Sequence, residues 1–214
     1  CFNPEEPLHL LTIIRRPSSQ LESTWLQWMR TYRTFPKVAE QMALRGLHID
    51  AYIRDGSWLS GLITNWSRWK AHDRVTSIET LYMERGPRID FTQVLPDFTK
   101  RKMVLPSSTD DLNISMNGVS FRLLREFTQT KIPNYNRFTR RIEALTNQAG
   151  FSKFRILTYS QRLEIDRAMT NVELFSPYSE PPENKPSAYE LDAATWSDLL
   201  QAAWAIADEE TKSA

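Results

Sequence analysis

The chain has 214 residues and a net charge of +1, and it contains six Gly, seven Trp and one Cys. Its length suits one large domain or one domain with an arm, because an average domain has ~150 residues. A single cysteine excludes an intrachain disulfide and a cysteine-based zinc site, and the few glycines disfavour nucleotide-binding loops. No run approaches the ~18 apolar residues of a membrane-spanning helix, so no membrane partner is expected.

The charge is divided unevenly along the chain. Residues 171–214 have nine acidic and two basic side chains, a net charge of −7, which leaves +8 for residues 1–170. This division favours contact of the basic body with a polyanion, or docking of the acidic tail onto a neighbouring copy. Folding of the tail onto its own body is the alternative.

Proline and apolar patterns divide the chain into an arm, a body and a tail. Prolines surround the apolar run Leu8–Ile14, so residues 1–17 are predicted to form an irregular arm with one short strand or helical turn. Residues 18–170 are predicted to form a single α-helical body with an irregular insert at residues 87–118. Residues 171–214 are predicted to form a proline-rich strap and a terminal interaction helix. The fold class is therefore predicted to be mainly α.

Two helices are predicted at the start of the body. Ser19 and Glu22 match a capping box, so a helix is expected to begin at Ser19. Its apolar residues recur at helical spacing until Pro36, which can open a second helix that ends at Gly46. These two helices would form a helical hairpin.

A third helix is expected to begin at Ser57. Its apolar stripe consists of Trp58, Leu59, Leu62, Ile63, Trp66 and Trp69. The helical spacing continues in Val75, Ile78, Leu81 and Tyr82. Helix is therefore predicted as far as Arg85, before Gly86 and Pro87 end the pattern.

Two patterns compete after the insert. Apolar residues alternate on both sides of Asn117 and Gly118, which predicts a β-hairpin over residues 112–123. Val119, Leu123 and Phe127 also fit one face of a helix, so both structures stay open. Beyond them, Asn134 is expected to cap a helix that ends at Gly150, and a further helix is predicted near residues 160–169.

The tail is predicted to be an interaction element. Four prolines between residues 171 and 190 predict an extended strap without regular hydrogen bonding. Asp192 is expected to cap the last helix, which has Trp196, Leu199, Leu200, Ala203, Ile206 and Ala207 on one face and Trp204 beside it. We expect residues 171–207 to reach over a neighbouring subunit.

The sequence predicts no catalytic residue, metal site or cofactor. His48 and His72 each lack the further ligands that a catalytic metal needs. Ser57 does not meet the Gly-x-Ser-x-Gly spacing, and no oxyanion site supports Cys1 as a nucleophile. We therefore expect a protein that is not an enzyme, with a hydrolase using Cys1 or Ser57 as the weakest alternative. Because the chain begins with Cys1, we expect it to start inside a longer protein.

Basic residues and tryptophans are the candidate functional residues. Basic side chains can neutralise phosphates without sequence choice. The candidate nucleic-acid-facing residues are Arg137, Arg140, Arg141, Lys100, Arg101 and Lys102. Aromatic side chains dominate interface hot spots. The candidate subunit-interface residues are Trp196, Leu199, Leu200, Trp204, Pro181 and Pro182. No aromatic platform interleaved with basic residues is predicted, so sequence-specific RNA recognition is not expected.

The layout of arm, helical body, irregular insert and strapped terminal helix resembles the coat proteins of small icosahedral RNA viruses. The α-helical shells of the double-stranded-RNA partitiviruses are the nearest in layout. Residues 58–69, 134–150 and 177–186 carry this resemblance. It implies a structural capsid subunit that forms homodimers and a larger homo-oligomeric shell, packages RNA without sequence preference, and resides in the virion and the host cytoplasm. A monomeric nucleic-acid-binding or adaptor protein is the alternative.

Overall fold

The computed structural model describes residues 7–31, 57–82 and 116–212. These residues are mostly helical, which confirms the prediction of a mainly α fold. The predicted helix at residues 36–46 and almost all of the insert at residues 87–118 lie outside the described residues.

The first two elements are a strand and a helix. Strand β1 covers Leu8–Ile14, within the segment predicted to be an arm, and helix α1 covers Pro17–Thr31. Proline suits the first helical position because its fixed φ matches the helix and its missing N–H would have no partner there.

The predicted capping box of α1 is wrong. The helix begins before Ser19, and its first turn is capped from a distant part of the chain: the Ser18 N–H and Oγ donate to the buried Asp166 carboxylate at 2.9 and 3.1 Å. Glu22 accepts hydrogen bonds from Ile156 N–H and Leu157 N–H instead, at 2.9 and 2.8 Å. Local spacing cannot reveal partners that are more than a hundred residues away.

Helix α2 covers Ser57–Lys70 and begins at the predicted residue, but the helix does not continue to Arg85. Val75–Tyr82 form strand β2, which pairs in parallel with β1 as far as the Ile14–Tyr82 pair. The prediction of helix over residues 75–85 is therefore wrong. The β-branched and aromatic side chains of β2 favour a pleated surface, and its pairing with β1 is a non-local interaction.

A small apolar cluster lies beside this two-stranded sheet. Its buried members are Ile14, Leu59, Leu174, Phe175 and Tyr178. The Tyr178 hydroxyl donates to the Ile14 carbonyl at 2.7 Å, which ties the segment after residue 172 to β1. This segment is a 3₁₀ helix, Glu173–Tyr178, so the prediction of a strap that is extended throughout is wrong. A second 3₁₀ helix covers Ala188–Glu190.

Helix α3 covers Gly118–Glu126 and decides between the hairpin and the helix. The Asn117 side chain accepts the Ser120 N–H at 2.9 Å, so the Asn117-Gly118 pair is a helix start and not a hairpin turn. Gly118 is required by close packing: a Cβ at this position would lie 2.2 Å from the Arg155 carbonyl oxygen.

Helix α4 covers Tyr135–Gln148 and confirms the prediction made from its caps. The Asn134 side chain accepts the Arg137 N–H at 3.2 Å. Gly150 has φ +85°, and the Phe151 N–H donates to the Thr146 carbonyl at 2.9 Å, an arrangement that satisfies the final carbonyls of the helix.

The last two helices complete the main core. Helix α5 covers Tyr159–Met169, and helix α6 covers Ala193–Lys212, both close to their predicted positions. Helix α1 packs against α3 and α5, and α4 packs against α3 and α6. The largest fully buried side chains of this core are Trp25, Phe121, Phe127 and Phe138.

Candidate interaction site at the tail–body junction

Helix α6 lies on α3 and α4, and we call this contact the tail–body junction. Asp192 begins the helix by accepting the Thr195 N–H at 2.9 Å and the Thr195 hydroxyl at 2.7 Å. The hydrogen bond from the Thr195 backbone is the main cause that lowers the pKa of Asp192, which stabilises the charged cap next to the positive end of the helix. The predicted capping role of Asp192 is therefore confirmed.

The apolar face of α6 contacts the body of its own chain. Leu199, Ala203 and Ala207 are buried in the main core, and Trp196 and Leu200 are partly buried against it. Residues predicted to contact a neighbouring subunit thus have an intramolecular partner. Their place in a subunit interface stays a prediction.

Aromatic rings and one guanidinium group join α6 to α3. The Arg122 guanidinium lies 3.7 Å from the centre of the Trp196 ring and 5.2 Å from the Tyr189 ring, and Nη1 donates to the Ala188 carbonyl at 2.7 Å. Burial lowers the pKa of Arg122, since desolvation disfavours its charge. Cation–π contacts of this kind are strongest where water is excluded. Arg122 therefore fixes the start of α6 on the body.

The far end of α6 is held by an ion cluster, which we call the tail clamp. It consists of Glu209 and Glu210 on α6 and Arg137 and Arg141 on α4. Buried Glu210 lies 3.2 Å from Arg137 Nε and 3.0 Å from Arg141 Nη1, while Glu209 accepts from Arg141 Nη2 at 2.5 Å. The hydrogen bonds that Arg141 donates to Glu209 and Glu210 raise the pKa of Arg141. The acidic tail and the basic body therefore meet within one chain.

The other predicted site residues are placed separately. Arg140 is exposed and forms no ion pair with any described residue. Pro181 is exposed and Pro182 is buried, on the irregular segment between the two 3₁₀ helices. Lys100, Arg101 and Lys102 lie outside the described residues. Trp204 is 44% exposed, although its ring centre lies 4.6 Å from that of Phe127.

A cavity of about 230 Å³ lies on the other side of α3, between α1 and residues 152–156. Glu22, Arg155, Lys153 and Lys185 are among its lining residues. Burial raises the pKa of Glu22, although Arg155 and two backbone N–H groups favour its charged form. One Glu22 oxygen accepts both N–H groups and the other lies 3.5 Å from Arg155 Nη1, so the carboxylate holds this loop on α1.

His72, one of the two histidines considered as metal ligands in the sequence, is exposed beside Trp69. The buried carboxylate of Asp166 has a structural role, since it pairs with Arg16 at 3.1 Å and caps α1. The described ranges contain no group of three possible metal ligands among their His, Asp and Glu side chains. Cys1 lies outside them.

Sequence reasoning missed the partners of the junction. In the sequence, Glu209 and Glu210 only add to the net charge of the tail, and no motif marks Arg122. A spacing of four residues between Arg137 and Arg141 puts both on one side of α4, but no local signal indicates that α6 covers that side.

Comparison of the chain with protein-family models, with curated proteins and with solved structures found no match. In the part of the chain that the structure describes, no helix has the length and apolar character needed to cross a bilayer.

Proposed function

We propose that this chain is a structural subunit that self-associates through its terminal helix, as a viral coat protein does, and that its basic body contacts RNA. The observation that carries this proposal is the tail–body junction, where a helix at the end of the chain docks through both apolar and charged groups. A virion location and the larger homo-oligomeric shell belong to the same proposal.

The junction supports self-association because its contacts are specific and can be reproduced between two copies. Leu199, Ala203 and Ala207 supply the apolar face, and the tail clamp supplies paired charges at the other end. A segment that exchanges between identical chains makes the same contacts in the dimer as in the monomer, so exchange has a low cost in free energy. The irregular, proline-containing segment at residues 179–187 is the connection that would cross between copies.

The buried position of the tail changes how this proposal must be tested. Deletion of residues 177–214 would remove Leu199 and Ala203 from the main core and Trp204 from the ring of Phe127, so the remaining body would expose apolar surface. Loss of assembly in that deletion variant would not distinguish a lost interface from a damaged fold. Charge reversal in the tail clamp alters the junction without shortening the chain.

Two complementary variants provide the test. In the body variant, Arg137→Glu and Arg141→Glu place like charges opposite the tail; in the tail variant, Glu209→Arg and Glu210→Arg do the same from the other side. Each variant repels its own tail, but a mixture can pair each tail with the opposite body. We expect an equimolar mixture to form a heterodimer of twice the 25.0 kDa chain mass, measured by light scattering after size-exclusion chromatography.

Circular dichroism of each variant establishes that its helices are retained. Arg140→Glu is the matched control, because Arg140 lies on the same helix and makes no ion pair with the described residues. The Arg140→Glu variant keeps its own tail clamp, so its mixture with the tail variant should show only the masses that the two samples have separately. The exchange proposal is wrong if the complementary variants stay separate although each is folded.

One observation favours a second candidate function, a monomeric nucleic-acid-binding protein. In a single chain, α6 already covers its apolar face and neutralises Glu209 and Glu210. A monomer of this kind would use the remaining basic groups of the body to bind RNA. It would keep a mass of 25.0 kDa at every protein concentration.

A further inference from the structure

The end of helix α2 has a run of alternating aromatic and basic side chains. This run, which we call the Trp66–Arg74 segment, includes the last turn of α2 and the turn that leads into β2. Its aromatic and basic members are Trp66, Arg68, Trp69, Lys70, His72 and Arg74. The apolar stripe predicted for this helix includes Trp66 and Trp69.

Trp69 belongs to that stripe by its spacing, but its side chain is not buried. Its side chain is 47% exposed, whereas Leu59 on the same helix is 1% exposed. The Trp69 ring centre lies 5.9 Å from that of His72, which is also exposed. An accessible indole beside an imidazole provides a π surface on which a nucleic acid base can stack, and such stacking is tolerant of base identity.

Arg68 and Lys70 are the sequence neighbours of Trp69 on α2. Arg68 is exposed and has no ion pair among the described residues. Lys70 Nζ lies 4.8 Å from the centre of the Trp66 ring and 2.8 Å from Glu173 Oε1, with the Lys70 and Glu173 side chains 53% and 68% exposed. Exposed ion pairs contribute little stability, so a phosphate can replace Glu173 as the partner of Lys70. Exposed Asp73 opposes this charge, and stacking therefore has to supply much of the affinity.

We infer that the Trp66–Arg74 segment binds single-stranded RNA, with a base on Trp69 and phosphates on Arg68 and Lys70. Single-stranded nucleic acids are recognised by this combination of aromatic stacking and basic side chains. The candidate arginines of α4 are less suited, because Arg137 and Arg141 already bind the tail. The inference rests on the RNA partner in the proposed function, and it locates that contact on a different helix.

Self-association would strengthen such a contact. One segment can hold only a few nucleotides, which gives weak binding by a single copy. Many copies arranged along one strand bind with an avidity far above the affinity of each segment, provided that their spacing matches the strand. This mode of binding needs no base-specific hydrogen bonds, in agreement with packaging of RNA without sequence preference.

Fluorescence anisotropy with labelled oligouridylate tests the inference on the full chain. Trp69→Ala should weaken binding about tenfold, while Trp69→Phe should keep most of the affinity because it retains a ring. Arg68→Ala should reduce the slope of log affinity against log salt by about 0.7, the value for one contact to a single-strand phosphate. Ile13→Ala is the control, since Ile13 on strand β1 is an apolar side chain that is likewise 44% exposed but offers no ring to a base, and it should leave binding unchanged.

Several results would overturn the inference. Unchanged affinity in folded Trp69→Ala protein would do so, as would a larger loss in Arg140→Ala protein, which would move the contact to α4. Equal binding of a double-stranded RNA would contradict stacking on Trp69. Loss of binding to phosphatidylserine vesicles but not to oligouridylate in the Trp69→Ala variant would identify a membrane surface as the partner.

The proposed self-association is measured separately on the same samples. Light scattering should give the same mass for wild-type and Trp69→Ala protein. A wild-type chain that assembles but binds no oligouridylate would overturn the RNA contact alone, and a monomer that binds through Trp69 would contradict self-association alone.

Discussion

Gly118 is a position where a single methyl group should destabilise the fold. In the Gly118→Ala variant, the added Cβ would lie 2.2 Å from the Arg155 carbonyl oxygen, 2.3 Å from the Arg155 carbonyl carbon and 2.8 Å from Ile156 N. All three are backbone atoms, so no side-chain rotation can relieve the contact. The start of α3 and the loop at residue 155 must move apart by about 1 Å to restore ordinary van der Waals separation.

The magnitude follows from the bonds that this movement stretches. The Gly118 N–H donates to the Phe154 carbonyl at 2.8 Å, and the Ala188 N–H donates to the Arg155 carbonyl at 2.8 Å. Weakening two buried hydrogen bonds costs about 2 kcal/mol, and overpacking a core costs about 2 kcal/mol more. Alanine recovers about 1 kcal/mol through its helix propensity. The free energy of unfolding should therefore fall by about 3 kcal/mol.

Urea unfolding, followed by the far-ultraviolet circular dichroism of the helices, gives this difference in free energy directly. Gly61→Ala is the matched control, because Gly61 lies within α2 and a Cβ there would meet nothing within 4 Å. It should leave stability unchanged or raise it by up to about 1 kcal/mol. If the Gly118→Ala variant unfolds at the same urea concentration as the wild type, the start of α3 does not lie as close to the backbone of Arg155 as described.

Three further predictions concern buried charges. Burial raises the pKa of Glu22 above 4.5, so its contribution to the free energy of unfolding is greatest when it is protonated and falls as the pH rises through the raised pKa. Urea unfolding at a series of pH values should show this fall in the wild type but not in the Glu22→Gln variant. The prediction is wrong if the stability of both proteins depends on pH in the same way. The Asp166→Ala variant lacks the cap of α1 and leaves buried Arg16 without this carboxylate, so its free energy of unfolding should be about 3 kcal/mol lower. An unchanged urea midpoint of unfolding would contradict this. Replacing both Arg137 and Arg141 with alanine leaves Glu210 buried without these partners and should cost about 3 kcal/mol in thermal unfolding, more than either single change; additive small effects would show that Glu210 is solvated.

The helices that could be predicted from the sequence are those whose ends are marked locally. Asn134 and Gly150 enclose α4, and the structure places a side-chain cap and a left-handed residue at those positions. Asp192 marked the start of α6 in the same way. Each of these signals depends on bonds to residues only a few positions away.

The wrong predictions involve interactions between distant parts of the chain. Ser19 looked like a cap, but Asp166 performs that role from 148 residues beyond Ser18. Val75–Tyr82 matched helical spacing, but pairing with β1 makes this segment a strand. In both cases a tertiary contact outweighed a local pattern.

The candidate sites also combine features that are visible in the sequence with contacts that depend on the fold. The opposite charges of body and tail could be read from the sequence, whereas the pairing of Arg141 with Glu209 and Glu210 depends on how α6 lies on α4. The spacing of Trp69 matches the apolar stripe, because spacing shows on which side of a helix a residue lies. Spacing does not show that the stripe becomes exposed towards the end of the helix, where Trp69 lies. The alternation of aromatic and basic residues after Trp66 is visible in the sequence, and it is the pattern from which the RNA contact is inferred.

The mass of the wild-type chain in solution tests self-association most directly. Light scattering over a wide range of protein concentration, at low and at high salt, should give at least twice the 25.0 kDa chain mass, and the mass should change little with salt because exchange replaces each contact of the tail within one chain by the same contact between two copies. A mass of 25.0 kDa that does not change with concentration or salt would contradict the account and favour the monomeric nucleic-acid-binding protein.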